Sequence, residues 1–187
     1  MVDNTVTDFN YGLEKDFVKK SMRKIRQHSS KINAAVVLYN MNATVEMNFL
    51  PKFTLNLFDH VIDNLPSHDR CSAYLPRVER ALKVTSESIF VPQVEKNASQ
   101  IAVVIGSSPA LRIFVDEVLL QNVSYTLKSK GVRIVVVLVG DTSPDQQSKF
   151  LNITEENDDL ILVNGFSTLK DFEDTLVAKI CSVIGKF

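Results

Sequence analysis

Between Tyr11 and Ser30 the apolar residues Leu13, Phe17, Met22 and Ile25 recur three to five positions apart, with Lys, Arg and Glu between them. That spacing predicts an amphipathic helix. Ile32–Tyr39 is a nearly continuous apolar run of strand length, Asn40–Ala43 reads as a turn, and Thr44–Phe49 alternates with a period of two. Together they predict a hairpin whose second strand lies half exposed on a sheet edge, with Val45, Met47 and Phe49 facing one way. A short helix is expected around Asn56–Leu65 and another near Tyr74–Ile89. Ile101–Ile105 reads as a buried strand that stops at Gly106-Ser107-Ser108-Pro109. A helix over Arg112–Lys130 ends at Gly131, a natural residue to follow a helix. Val132–Val139 is the most hydrophobic strand, followed by a polar helix around Pro144–Thr154 and a strand at Leu160–Val163. The last helix spans Thr168–Ile184, with Ser167 or Thr168 able to cap it. Helices alternating with apolar strands predict an α/β fold: a doubly wound, mostly parallel sheet, covered on both faces, with one antiparallel edge strand. No internal repeat, low-complexity tract or linker interrupts residues 1–187, so a single domain is expected.

Composition narrows the function classes. The chain has 187 residues, 45% hydrophobic and 23% charged, which supports a sizeable core. A net charge of −1 gives no global electrostatic case for nucleic acid or an anionic membrane. No apolar run approaches the roughly 20 residues of a membrane span. Met1-Val2-Asp3 does not open a signal peptide. Two cysteines, Cys71 and Cys181, provide neither a disulfide framework nor a tetrahedral zinc site. The expected topology puts them at opposite ends of the sheet, too far apart for a bond, with Cys181 in or near the core.

Ligands of such sheets bind at the carboxyl ends of the strands. The loops there contain no glycine-rich phosphate cradle and no G-x-S-x-G elbow. His28, His60 and His68 stand alone, without a nucleophile or an orienting acid beside them, and read as solvated side chains. Asp158-Asp159 reads as a turn before a strand. One segment carries chemistry: Asp3-Asn4-Thr5-Val6-Thr7 puts a carboxylate and two hydroxyls into one tight loop before a helix. On an extended segment Asp3, Thr5 and Thr7 share one side, and hard oxygen donors of this kind suit Mg²⁺. The alternative reading is a helix-capping loop.

The order of elements and this loop resemble the von Willebrand factor type A domain. That family has a Rossmann-like doubly wound sheet with one antiparallel edge. Its metal-dependent adhesion site opens with Asp-x-Ser-x-Ser after the first strand, which Asp3, Thr5 and Thr7 match with Thr for Ser. Ser88-Ile89-Phe90-Val91-Pro92, Gln100–Ile105, Leu127–Ile134 and Ile180-Cys181 are similar to the A domains of type VI collagen chains. Two departures follow from the resemblance. Val78 stands where the family supplies a metal-binding Thr, Ser72 being reachable only by breaking register. Ser107 stands where it supplies an Asp. The resemblance therefore implies a degenerate metal-dependent adhesion site at Asp3, Thr5, Thr7 and Ser107, with no cofactor required and Mg²⁺ as the alternative. The Asp3 loop, Ser107 and the loop around Cys71 are expected to cluster. Only Met1 and Val2 precede Asp3, so most of the family's first strand is lacking. Residues 1–187 are accordingly expected to be a fragment of a longer chain; otherwise the second and fourth strands must close up, or the fold is marginal.

The function implied is a non-catalytic, secreted matrix or adhesion module of a type VI collagen-like chain. Its partners would be extracellular matrix proteins or neighbouring chains of the same assembly, with no nucleic acid and no membrane insertion. His68, Arg70, Tyr74 and Leu111 are candidate anchors on the binding face. Four N-x-[ST] sequons occur, of which Asn42 in a hairpin turn and Asn97 in a polar loop are the accessible glycosylation candidates. The alternatives are a Mg²⁺-dependent adhesion domain, or an enzyme or small-ligand protein on the same Rossmann-like layering.

Overall fold

Apolar strands sort their side chains between two helical layers here. In β5 (Val132–Val139) every residue is buried. Its Val132, Ile134, Val136 and Leu138 pack into a core with α3 (Val78–Val84) and α4 (Glu117–Ser129). Its Val135, Val137 and Val139 face α1 (Asp8–His28) and α6 (Glu173–Ile184). That two-sided burial is why the strand lacks any polar alternation except Arg133. The computed structural model describes residues 1–3, 5–66, 76–91, 98–107 and 116–184.

The remaining elements are β1 (Val2–Asp3), β2 (Val36–Tyr39), β3 (Ala43–Met47), α2 (Leu55–Asp63), β4 (Gln100–Ser107), α5 (Pro144–Leu151) and β6 (Leu160–Val163). β1 pairs parallel with β2, β2 antiparallel with β3, and β4, β5 and β6 pair in parallel. β1 also joins β4, because the Ile105 amide donates to the Met1 carbonyl at 3.2 Å. The strands thus run β3-β2-β1-β4-β5-β6, a doubly wound parallel sheet with one antiparallel edge. Gly131 takes φ +80° between α4 and β5, a conformation that favours glycine.

The expected elements are present with shifted ends. A β-bulge between Val36 and Val37 sets them opposite Met47 and Val45, leaving Glu46 as the extra residue. The bulge separates Val45 from Met47, and β3 ends at Met47, before Phe49, so the single-face alternation expected of Val45, Met47 and Phe49 does not hold. Met47 packs with Val36 and Leu38 on the α2 side, whereas Phe49 meets Phe90 edge-on at 5.7 Å on the α3 side. The helix expected over Tyr74–Ile89 is described from Val78, and after Val84 it widens into a π-helical turn over Thr85–Ile89. Neither Ser167 nor Thr168 caps the last helix. Gly165 precedes a 3₁₀ segment, Phe166–Phe172, and α6 starts at Glu173. Cys181 is half-buried against the α6 core, as a free thiol that burial pushes up in pKa; Cys71 lies outside the described residues.

β2 and β4 have not closed up around the short β1. Met1–Asp3 holds them one strand apart, and the Tyr39 hydroxyl spans the same interval to donate to the Ile105 carbonyl at 2.7 Å.

Candidate functional site

At the carboxyl end of β1 the chain bends back on the Asp3 side chain. Oδ1 of Asp3 accepts from the Thr5 amide at 2.9 Å and the Thr5 hydroxyl at 2.7 Å. Oδ2 accepts from the amide and the hydroxyl of Ser107, the last residue of β4, both at 3.3 Å. Asp3 is 0% exposed and Ser107 is buried. Burial raises the Asp3 pKa, and the four hydrogen bonds from Thr5 and Ser107 oppose that rise.

The segment is therefore turned, not extended. Thr7 points elsewhere, and its hydroxyl accepts from the Asn10 amide at 3.4 Å as the N-cap of α1. Thr7 caps the helix, as the second reading of the loop expected, while Asp3 and Thr5 are joined to Ser107 by hydrogen bonds within the protein. Val78 is fully buried in the core beside α4 and offers no oxygen. The candidate anchors His68, Arg70, Tyr74 and Leu111, with Ser72, Ser108 and Asn97, lie outside the described residues.

One residue of the site was missed in the sequence. Glu14 of α1 is 0% exposed and its Oε1 accepts the Asp3 amide at 3.0 Å, while Oε2 has no hydrogen-bond partner. Burial first, and then the Asp3 carboxylate, push its pKa well above the ordinary value. The signal was available: Tyr11, Glu14, Phe17, Ser21 and Ile25 form the buried stripe of α1, so an acid occupies an apolar position.

The cluster is a poor fit for a divalent cation. Among the described residues it holds one carboxylate facing Thr5 and Ser107, and both its oxygens are taken by internal donors. A hard cation needs roughly 6 oxygen ligands and favours ionised carboxylates. A single buried carboxylate with a raised pKa does not fit a tightly held divalent ion, and no chemistry is routed through one here. A second acidic group, Glu156, Asp158 and Asp159, is engaged by cations. Arg133 Nη2 lies 2.7 Å from both Glu156 Oε2 and Asp159 Oδ1, and Lys179 pairs with Asp158. Asp158-Asp159 is thus a neutralised turn before β6, in a short 3₁₀ segment, Asn157–Asp159.

Known proteins share the fold. The sequence model of the von Willebrand factor type A domain matches residues 3–176. The chain belongs to this family. Comparison with curated protein sequences finds no match. Among solved structures, proximal thread matrix protein 1 from the mussel byssus aligns with TM-score 0.78 at 18% identity, over 94% of this chain and 43% of that one. The chain therefore spans less than half the length of that relative. The same mussel protein with a zinc-occupied adhesion motif aligns with TM-score 0.77 at 16% identity, over 94% of this chain and 44% of that one. The open conformation of the pilus adhesin SpaC from Lactobacillus rhamnosus GG gives TM-score 0.73 at 8% identity, over 97% and 29% of the two chains. The SpRpn10 von Willebrand factor A domain gives 0.62 at 16% identity, over 86% and 82%. At these identities the likeness is one of fold. Domains of this family are generally interaction modules without catalytic activity. No described helix is long and apolar enough to cross a membrane.

Proposed function

We propose that this von Willebrand factor A domain is a non-catalytic, secreted matrix or adhesion module, comparable to an A domain of a type VI collagen-like chain. It binds matrix proteins or neighbouring chains of its own assembly through the face at Asp3, and it needs no tightly held cation. The observation that carries this reading is the closed state of the Asp3 carboxylate, with its oxygens satisfied by Thr5 and Ser107. A face of this kind offers shape and anchors on a rigid sheet, which suffices for recognition. His68, Arg70, Tyr74 and Leu111 are the anchors we assign to it. The matrix and adhesin proteins among the structural neighbours support the same reading.

A second reading is a Mg²⁺-dependent adhesion domain, favoured by the convergence of Asp3, Thr5 and Ser107 oxygens and by the zinc-occupied neighbour. Solid-phase binding to immobilised matrix proteins separates the two. We expect binding to be equal in millimolar Mg²⁺ and in EDTA, and calorimetric titration with Mg²⁺ to give no heat that depends on Asp3. Loss of binding in EDTA establishes the second reading instead.

Secretion carries its own prediction. Asn42 is exposed, at the turn between β2 and β3. Expressed through a secretory pathway, the protein should carry glycan there. Asn42→Gln should lose one step of electrophoretic mobility shift, measured before and after glycosidase treatment, while Asn97 accounts for a second step.

A further inference from the structure

The outward face of α4 carries apolar side chains that the core does not use. The helix turns Leu120, Val123, Ser124 and Leu127 inward. On the other side Val118 is 71% exposed and Tyr125 is 75% exposed. Asn122 stands between them, one turn from each on the same face, and is exposed too. Side chains on a helix lean toward its N-terminus, so the Tyr125 ring is carried back alongside Asn122, and Asn122 toward Val118. Single exposed apolar residues are ordinary, but these two flank the acceptor of a sequon, Asn122-Val123-Ser124.

A place within a helix does not hide Asn122, since its side chain faces solvent. The sequon hydroxyl is another matter. Ser124 is buried, and its Oγ donates to the Gln121 carbonyl at 2.9 Å. The folded helix therefore presents the asparagine but not the hydroxyl, and a sugar has to be attached before α4 forms. Folding afterwards meets no obstacle, because a sugar on Asn122 points away from Leu120, Val123 and Leu127. Asn152, at the end of α5, is exposed as well, but the residues one turn from it, Ser148 and Glu155, are polar and offer no apolar surface to a sugar.

We propose that Asn122 is an N-glycosylation site and that the first sugar of its glycan lies over Val118 and Tyr125. The inference rests on the secretory reading above. In the transfer, the Asn122 side-chain nitrogen forms a bond to C1 of an N-acetylglucosamine carried on a lipid pyrophosphate. The bond from C1 to the pyrophosphate oxygen breaks, the amide gives up one proton, and the lipid pyrophosphate leaves. The attached sugar presents a face of C–H groups, which suits the electron-rich face of the Tyr125 ring and covers the Val118 methyls. Apolar area on α4 is thereby removed from water without a protein partner.

The test uses the 187-residue protein expressed through a secretory pathway, as wild type and with Asn42→Gln, Asn97→Gln and Asn152→Gln combined, which leaves the Asn122 sequon alone. We expect the triple variant to keep one glycosidase-sensitive step of electrophoretic mobility, and peptide mass spectrometry to find aspartate in place of Asn122 after glycosidase release. Adding Asn122→Gln should abolish the step. Trimmed to a single N-acetylglucosamine, the triple variant should melt above its Asn122→Gln counterpart, and Tyr125→Ala should erase that difference. A triple variant without glycan, beside a wild type that carries one at Asn42, overturns this site and leaves the secretory reading standing. A wild type without glycan at any sequon overturns both. Equal melting of the trimmed and Asn122→Gln forms, or a difference that Tyr125→Ala leaves intact, overturns the placement of the sugar on the helix.

Discussion

Replacing Asp159 with Ala should cost about 3 kcal/mol of stability, the largest loss expected of any single charged residue in the described structure. Asp159 is 0% exposed, and Arg133, which it holds, is 8% exposed near the start of an otherwise apolar strand. Arg133 Nε lies 3.0 Å from Asp159 Oδ2 and Nη2 lies 2.7 Å from Oδ1, a two-pronged contact that drives the guanidinium pKa up. Removing the carboxylate leaves a buried cation with only Glu156, which is half exposed, at 2.7 Å. Breaking a buried pair from one side costs more than the pair itself contributes, because the desolvated partner stays behind. For a chain of this size the loss corresponds to a fall in melting temperature of about 6–12 °C. Glu156→Ala, by contrast, removes an exposed partner and should cost about 1 kcal/mol or less. Urea unfolding of both variants checks the order. Arg133→Met combined with Asp159→Leu should recover most of the loss, since two apolar side chains leave no unpaired charge. An Asp159→Ala midpoint within error of wild type would show that the pair carries no such weight.

How much of this was legible depended on what decided each element. β5 could be read to the residue, because burial on both faces leaves a continuous apolar run with sharp ends at Gly131 and Gly140; β6, with Leu162 exposed, was legible from its short apolar run alone. The hairpin was legible as a hairpin, but the bulge at Glu46 was not. Pattern alone assigns residues to faces by counting in twos, and one extra residue reverses the count beyond it. The start of the last helix was misplaced because Ser167 and Thr168 are good capping residues, yet the backbone there winds as 3₁₀ until Glu173. At the site, Asp3, Thr5 and Ser107 could be named from the loop chemistry. Thr7 could be assigned either to a ligand set or to a cap, and only coordinates separate those. Glu14 went unseen because a helical acid is ordinarily read as solvated, and its burial depends on Asp3, reached only through the folded sheet.

Glu14→Gln should stabilise the protein at neutral and alkaline pH and leave it nearly unchanged in acid. Glu14 Oε1 takes the Asp3 amide, a bond that a glutamine oxygen reproduces, while Oε2 is buried without a partner. The ionised carboxylate is disfavoured there, chiefly by burial and then by the Asp3 charge, so its folded pKa stands well above the reference value of 4.5. The sign follows. Below about pH 4.5 the residue is protonated in both states and costs nothing. As pH rises past that value the unfolded chain releases the proton while the native chain retains it, so native stability declines until the folded pKa is passed. Asp3, also raised by burial, adds a decline of the same direction. Asp63 and Asp158, whose pKa values are lowered by Lys19 and Lys179, act in the opposite sense. These three are present in both proteins, so the difference between wild type and Glu14→Gln isolates Glu14 apart from its coupling to Asp3 and to the Met1 amine, which burial lowers to about 6. That difference should be near zero at about pH 4 and grow with pH by about 1.4 kcal/mol for each unit by which burial holds the folded pKa above its reference value. Melting temperatures from about pH 4 to about pH 8 provide the measurement. A constant difference at every pH would mean that Glu14 ionises freely in the folded protein, and that the floor beneath Asp3 is open to water.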